Sequence, residues 1–201
     1  MARGTGPANA ESVCMDWAQQ WEQALPYAEF LERHGEPRHR ERWQRIYEQV
    51  ALGEGQRSLL AGFTRRMHLL CLAGAWCGDC VLQCPILERM QKASPSIAVR
   101  FMDRDAHADV QDALVVNAGR RVPVVVFLSE DFEECARFGD RTLSTYRRMA
   151  RERLGDAVPT GAAPPPDDGY LAAVAADWVD EVERVQLLLR LSARLRKQHA
   201  D

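Results

Sequence analysis

Two cysteines with two residues between them, in Trp76-Cys77-Gly78-Asp79-Cys80, stand where an uncharged apolar run meets a helix-forming segment. Residues 69–75 suit a buried strand, and residues 77–93 set Leu82, Ile86, Leu87 and Met90 at helical spacing. This placement has a chemical consequence. The first sulfur sits beside the unpaired N–H groups and positive end of the helix, which favours its thiolate. The second lies one turn further in, near enough to close a disulfide and too sheltered to compete as nucleophile. The stretch reads as a site of dithiol–disulfide exchange, and the rest of the chain has to accommodate it.

At 201 residues the chain can bury a substantial core as one domain with extensions, or at most two domains. Its 46% hydrophobic and 27% charged residues are those of a soluble globule. A net charge of −3 gives no electrostatic reason to expect nucleic acid. Lys92 and Lys197 are the only lysines, so the arginine excess reads as compositional bias. Residues 1–10 lack the apolar segment of a secretory signal. The longest apolar runs are far short of the about 20 residues that span a bilayer. A cytoplasmic protein with no membrane association is expected. In such a compartment six cysteines are more consistent with core thiols plus a redox or metal group than with a disulfide framework.

Taken in order, residues 1–10 read as a disordered tail and residues 11–67 as a helical extension. Val13, Trp17, Trp21, Ala24 and Leu25 mark a first helix, which Pro26 interrupts before Tyr27, Phe30 and Leu31. Trp43, Ile46, Tyr47 and Val50 mark another, and Leu59, Leu60 and Phe63 a shorter one. Residues 68–154 change character. Strands are expected at 69–75, 96–103, 122–128 and near 133–138, and helices at 77–93, 106–117 and 142–153, the last with Thr142 as N-cap. This β-α-β-α-β-β-α order demands both parallel and antiparallel pairing. Residues 155–169 read as a Pro/Gly-rich linker, with Asp167 and Asp168 placed to cap the next helix. Residues 170–198 form one long amphipathic helix with Leu171, Val174, Trp178, Val182, Val185 and Leu189 on a stripe that Leu188, Leu191 and Leu195 extend. That stripe suits packing against the domain, and it leaves room for a homodimer through residues 170–198.

The element order and Trp-Cys-Gly-x-Cys together resemble the thioredoxin superfamily over residues 68–153. Pro85 falls five residues after Cys80, where that family kinks its active-site helix. Val122-Pro123 opens the third strand, where the family carries a cis-proline, and Arg120 and Gly139 fall in the loops flanking the cleft. The resemblance implies an α/β fold: a four-stranded mixed sheet flanked by helices, here with added N- and C-terminal helices. It implies Cys77 as attacking thiolate and Cys80 as resolving thiol. Val122 would pair with an extended client, Pro123 would shape the cleft, and Trp76, Gly78 and Gly139 would form its rim. Core packing is the other reading of Trp76, and a turn requirement that of Gly78.

The departures are equally informative. The family's buried strand-one acid is replaced by Cys71, and the usual proline between the cysteines by Asp79, whose charge opposes ionisation of Cys77. A Cys77 that titrates not far below neutrality and a reducing rather than strongly oxidising pair are expected. Arg121, where a small residue is usual, offsets Asp79, attracts acidic clients or is simply a solvated loop residue. Cys84 shares a helical face with Cys77 and Cys80; it is a core thiol, an auxiliary redox partner or, with Cys71, part of a thiolate metal cluster. Cys14 and Cys135 have no partner pattern and read as structural, and Asp103 and Asp105 as turn and capping residues. The five histidines are scattered, away from triad spacing to Cys77, which argues against a cysteine hydrolase. The function expected is reduction of protein disulfide clients through Cys77 and Cys80, with no metal or bound cofactor and an external reductase for recycling. The alternative is a thioredoxin-fold interaction module in which redox turnover is incidental.

Overall fold

The computed structural model describes residues 15–155 and 166–200. Four helices come first: α1 (Trp17–Gln23), α2 (Tyr27–His34), α3 (Pro37–Gln49) and α4 (Glu54–Ala61). Next come β1 (Met67–Ala73), α5 (Gly78–Ala93), β2 (Ile97–Asp103), α6 (Ala108–Ala113), β3 (Val124–Leu128), β4 (Glu134–Gly139) and α7 (Leu143–Leu154). Two further helices, α8 (Tyr170–Leu191) and α9 (Ala193–His199), end the chain. The sheet has the order β2-β1-β3-β4, with β1 parallel to β2 and β3 antiparallel to both its neighbours. The β-α-β-α-β-β-α order and the mixed sheet are therefore as expected.

β1 and β3 are buried at every residue and almost wholly apolar; the polar His68 of β1 meets the Ser129 carbonyl oxygen, 3.0 Å from its Nδ1. β4, at one edge, is exposed or half-buried throughout. The other edge, β2, is partly covered by the α1–α2 connection. Leu25 exchanges two backbone hydrogen bonds with Phe101, at 2.8 and 2.7 Å, occupying donors and acceptors that an open edge would present to other chains. Trp17, Trp21, Phe30, Leu31, Trp43 and Leu60 lie in the same buried cluster as the strands, so the N-terminal helices share the core of the sheet.

Several boundaries differ from expectation. α1 begins at Trp17, where the Asp16 carboxylate accepts from the Gln19 N–H at 3.0 Å. The earlier part of the expected helix, residues 11–14, lies outside the described residues, as do the tail at 1–10 and linker residues 156–165. α6 stops at Ala113 because Leu114 leaves the helical conformation and Val116 and Gly119 close a small turn with Asn117 and Ala118 at positive φ. β3 pairs only from Val124; Pro123 has no N–H for the ladder and the Val122–Pro123 peptide is cis. Thr142 is the N-cap of α7, but its hydroxyl meets Thr145 Oγ1 rather than a backbone N–H. Asp167 pairs with Arg148 at 3.0 Å, and the residue preceding α8 is Gly169.

The single helix expected over 170–198 is in fact two. The chain leaves α8 at Ser192, whose hydroxyl accepts from the Leu195 N–H and starts α9. The change of direction buries Leu195 but leaves Leu188 and Leu191 exposed, so these two do not extend the stripe. Val174, Trp178, Val182, Val185 and Leu189 are buried, and α8 lies on α4, α5, α7 and β4. Trp178 Nε1 donates to Gln83 Oε1 at 3.1 Å, and the buried Gln186 side chain both donates to Arg65 O and accepts from its N–H, each at 2.9 Å. Among the described residues no helix is long and apolar enough to cross a membrane.

Candidate active site

Cys77 is the N-cap of α5, placed there by the turn at the end of β1. Its Sγ makes no capping hydrogen bond, although the nearby Asp79 and Cys80 N–H groups favour its thiolate, and it lies 3.6 Å from the Val122 carbonyl oxygen. Cys77 is half-buried. Cys80, one turn in, is fully buried and its Sγ accepts from the Gly74 N–H at 3.4 Å. Both are free thiols, close enough for each to shift the ionisation of the other.

Between them the two sulfurs release one proton readily and hold the other tightly. Burial alone would push Cys80 up, but hydrogen bonds from Cys77, Cys84 and the Gly74 N–H outweigh it and bring Cys80 down to about 5. Cys77 is held well above the ordinary thiol range, first by donating to Cys80 and then by burial. The two sulfurs share a proton, and the charge belongs to the pair rather than to either cysteine alone. Moving that proton from Cys77 to Cys80 places the charge on the outer sulfur.

Cys71, on β1, and Cys84, on α5, are fully buried with their sulfurs 3.8 Å apart. Cys84 also acts on the ionisation of Cys80, so the four thiols influence one another in the order Cys77, Cys80, Cys84, Cys71 from the surface inward. Among the described residues no group of three or more His, Cys, Asp or Glu side chains is arranged to hold a metal ion. Cys135 is half-buried on β4, its Sγ 3.4 Å from Glu133 O; Cys14 lies outside the described residues.

Asp79 is partnered by Arg141, whose Nε and Nη2 meet its two carboxylate oxygens at 3.1 and 2.6 Å. The expectation that Arg121 offsets Asp79 is met by a different arginine. Arg121 instead binds Asp140 at 3.0 Å, which Arg141 shares at 3.0 Å and to which the Tyr146 hydroxyl also donates. Burial would raise the Asp140 carboxyl, but these donors hold it below the usual carboxylate range. The Asp140 carbonyl accepts from Gln83 Nε2 at 3.0 Å, linking this network to α5 and through Trp178 to α8. Nothing in the spacing of Gln83, Asp140, Arg141 and Trp178 announces that they meet, because they come from separate stretches of the chain.

Of the three residues expected at the rim, Trp76 is 46% exposed, which excludes core packing. Its indole lies over Gly74, donates to Asp105 Oδ2 at 3.4 Å and carries the Arg104 guanidinium 5.0 Å from its ring. Asp105 therefore orients this tryptophan, while Asp103 caps the turn by accepting from the N–H groups of residues 105 and 106. At Gly78 an added Cβ meets nothing closer than Arg42 at 3.9 Å, so no turn constraint demands glycine. Gly139 is different: at φ +147 a Cβ would lie 2.4 Å from the Pro123 carbonyl oxygen, and only glycine fits against the Val122–Pro123 corner. Arg120 faces outward and pairs with Asp112 at 2.6 Å. Behind the motif, buried Trp43 donates to Ala75 O at 2.8 Å, tying α3 to the loop that presents Cys77.

A family model described as thioredoxin matches residues 24–152, more than half of the chain. The chain belongs to the thioredoxin family. The match begins within the N-terminal helices, ahead of the strands that carry the motif. A crystal structure of a Pseudomonas aeruginosa protein of unknown function is similar over 84% of this chain and 99% of its own, at 20% identity and a TM-score of 0.63. An HIV epitope-scaffold aligns over 82% of this chain and 98% of its own, at 20% identity and a TM-score of 0.60. Both extend the fold likeness beyond the thioredoxin core to most of the flanking helices. Fasciola hepatica thioredoxin aligns over 47% of this chain and 88% of its own, at 22% identity and a TM-score of 0.33. No curated protein matches the chain.

Proposed function

We propose that this thioredoxin-family protein reduces protein disulfides through Cys77 and Cys80. The observation that carries the reading is the half-exposed Cys77 sulfur at the start of α5, close to a buried Cys80 and facing the Val122 carbonyl beside cis-Pro123. A client segment lies along Val122, and the proton on Cys77 passes to Cys80. The Cys77 thiolate attacks one client sulfur, a mixed disulfide forms, and the other client sulfur leaves as a thiolate that is then protonated. Cys80 next attacks the Cys77 sulfur, which closes the Cys77–Cys80 disulfide and releases the second client thiol. Two electrons have moved to the client, and an external dithiol reductase returns them without a bound cofactor.

The proton problem left by Cys71 in place of an acid has a local answer. Cys80 needs no buried base to become a nucleophile, because the Gly74 N–H and the Cys84 thiol stabilise its thiolate. Its proton leaves with the departing client thiolate. Recycling by an external reductase suits a reducing compartment such as the cytoplasm. A second copy docking on α8 would meet its outward-facing Leu187, Leu188 and Leu191 rather than the buried stripe.

Trapping tests the reading. The Cys80→Ser variant is expected to retain clients as mixed disulfides on Cys77 that dithiothreitol releases. If it captures nothing beyond a Cys77→Ser control, the reading is wrong.

A further inference from the structure

We propose that Cys84 and Cys71 form a second, buried dithiol that takes over the disulfide from Cys77 and Cys80, so that one chain stores four electrons. The proposal rests on the oxidoreductase reading of the surface pair. It is carried by the placement of four cysteines: Cys77 at the start of α5, Cys80 and Cys84 buried on the turns that follow, and Cys71 on β1 with its sulfur 3.8 Å from that of Cys84. Residues 77, 80 and 84 follow one face of α5, which places Cys84 beyond Cys80 along the helix from Cys77. Cys71 waits across the α5–β1 interface, paired through its strand with Phe101 and Val125 and sealed from solvent.

The transfer balances without any further oxidant. After one client disulfide has been reduced, Cys84 attacks the Cys80 sulfur. A Cys80–Cys84 bond forms, the Cys77–Cys80 bond breaks, and Cys77 leaves as a thiolate that takes up the proton Cys84 gave up. Cys71 then attacks the Cys84 sulfur, a Cys71–Cys84 bond forms, and Cys80 leaves with the Cys71 proton. The last step needs the 3.8 Å separation to close to a bond of about 2.05 Å, an approach of the size side-chain rotation supplies. No electrons enter or leave during this relay. Cys77 and Cys80 are again a dithiol, ready for a second client, and the inner disulfide is out of reach of any protein reductase except by the reverse path through Cys77.

Stepwise oxidation of the native, reduced protein with a small disulfide such as hydroxyethyl disulfide tests this, with acid quenching, alkylation and peptide mapping. The wild-type chain is expected to form a Cys77–Cys80 disulfide first. A Cys71–Cys84 disulfide should come second while Cys77 and Cys80 become alkylatable again, and excess oxidant should consume all four thiols. Cys84→Ala is expected to stop at Cys77–Cys80, and Cys77→Ala to keep Cys71 and Cys84 reduced. A wild-type protein that forms Cys77–Cys80 yet keeps Cys71 and Cys84 as thiols at saturating oxidant overturns the relay and leaves the surface reading intact. Absence of both disulfides overturns the two together. A Cys71–Cys84 bond formed in Cys77→Ala also overturns the relay, since the inner pair would then be filled without the surface site. The wild-type map decides the matter even if a variant folds poorly.

Discussion

Replacing Cys77 by serine should reduce the rate of protein-disulfide reduction roughly a thousandfold or more, leaving only background thiol exchange. A serine hydroxyl has no accessible alkoxide near neutral pH, and the one remaining active-site sulfur, Cys80, is fully buried where no client can reach it. The substitution is gentle on the fold. Cys77 occupies the N-cap of α5 without making a side-chain capping bond, and serine is among the preferred residues at such a position. Activity should therefore vanish while the urea midpoint stays level or rises slightly. An interaction module whose cysteines are incidental would show no catalysed reduction in the parent protein to lose, so a turnover assay on the pair of proteins separates the two accounts.

Trp178→Ala should destabilise the protein by about 3–5 kcal/mol, read as a lowered denaturant midpoint. Trp178 is fully buried, stands edge-on to Phe138 with ring centroids 4.9 Å apart, and donates to Gln83 Oε1. Truncation opens a cavity between α8, α5 and β4 and leaves a buried amide oxygen unpaired. Trp178→Phe should recover most of the packing and retain a deficit of about 1–3 kcal/mol from that oxygen. The effect reaches the site, because the same Gln83 holds the Asp140 carbonyl, and Asp140 shares Arg141 with Asp79 beside the cysteines. Disulfide reduction by Trp178→Ala should accordingly fall at temperatures where the variant is still folded.

The strand–turn–helix around Cys77 is legible in the sequence because apolar runs and period-3.6 spacing are local properties, and because Pro85 and Val122-Pro123 mark backbone constraints that few other residues meet. Gly139 is legible only through the family resemblance, and the structure shows its constraint to be a steric one against Pro123. The hidden part depends on contacts between distant segments. The Trp43–Ala75 bond and the Arg141–Asp79 pair join residues 32 and 62 positions apart, with no pattern to suggest them. The break at Ser192 is masked because the apolar spacing of residues 170–198 runs on across it; only the hydroxyl cap to Leu195 reveals the turn. The surroundings of Cys80 are hidden too. Helix-start donors favour Cys77, whereas the donors to Cys80 come from Gly74 and Cys84 and meet it only once β1 and α5 are packed together.

Those surroundings bear on the poise of the pair. Hydrogen bonds that stabilise a thiolate at Cys80 favour the dithiol and move the couple away from the most reducing members of its chemistry, while the Asp79 charge, which opposes that thiolate, keeps it from the most oxidising. Equilibration of the wild-type protein in graded thiol–disulfide buffers, with the Cys77–Cys80 bond quantified by alkylation and mapping, addresses the central claim most directly. A reversible two-electron transition that requires both cysteines, with its midpoint between about −270 and −120 mV and nearer the former, is the predicted result. A midpoint at or above about −120 mV would contradict the proposed reductase role, and the lack of any reversible Cys77–Cys80 transition would contradict the site itself.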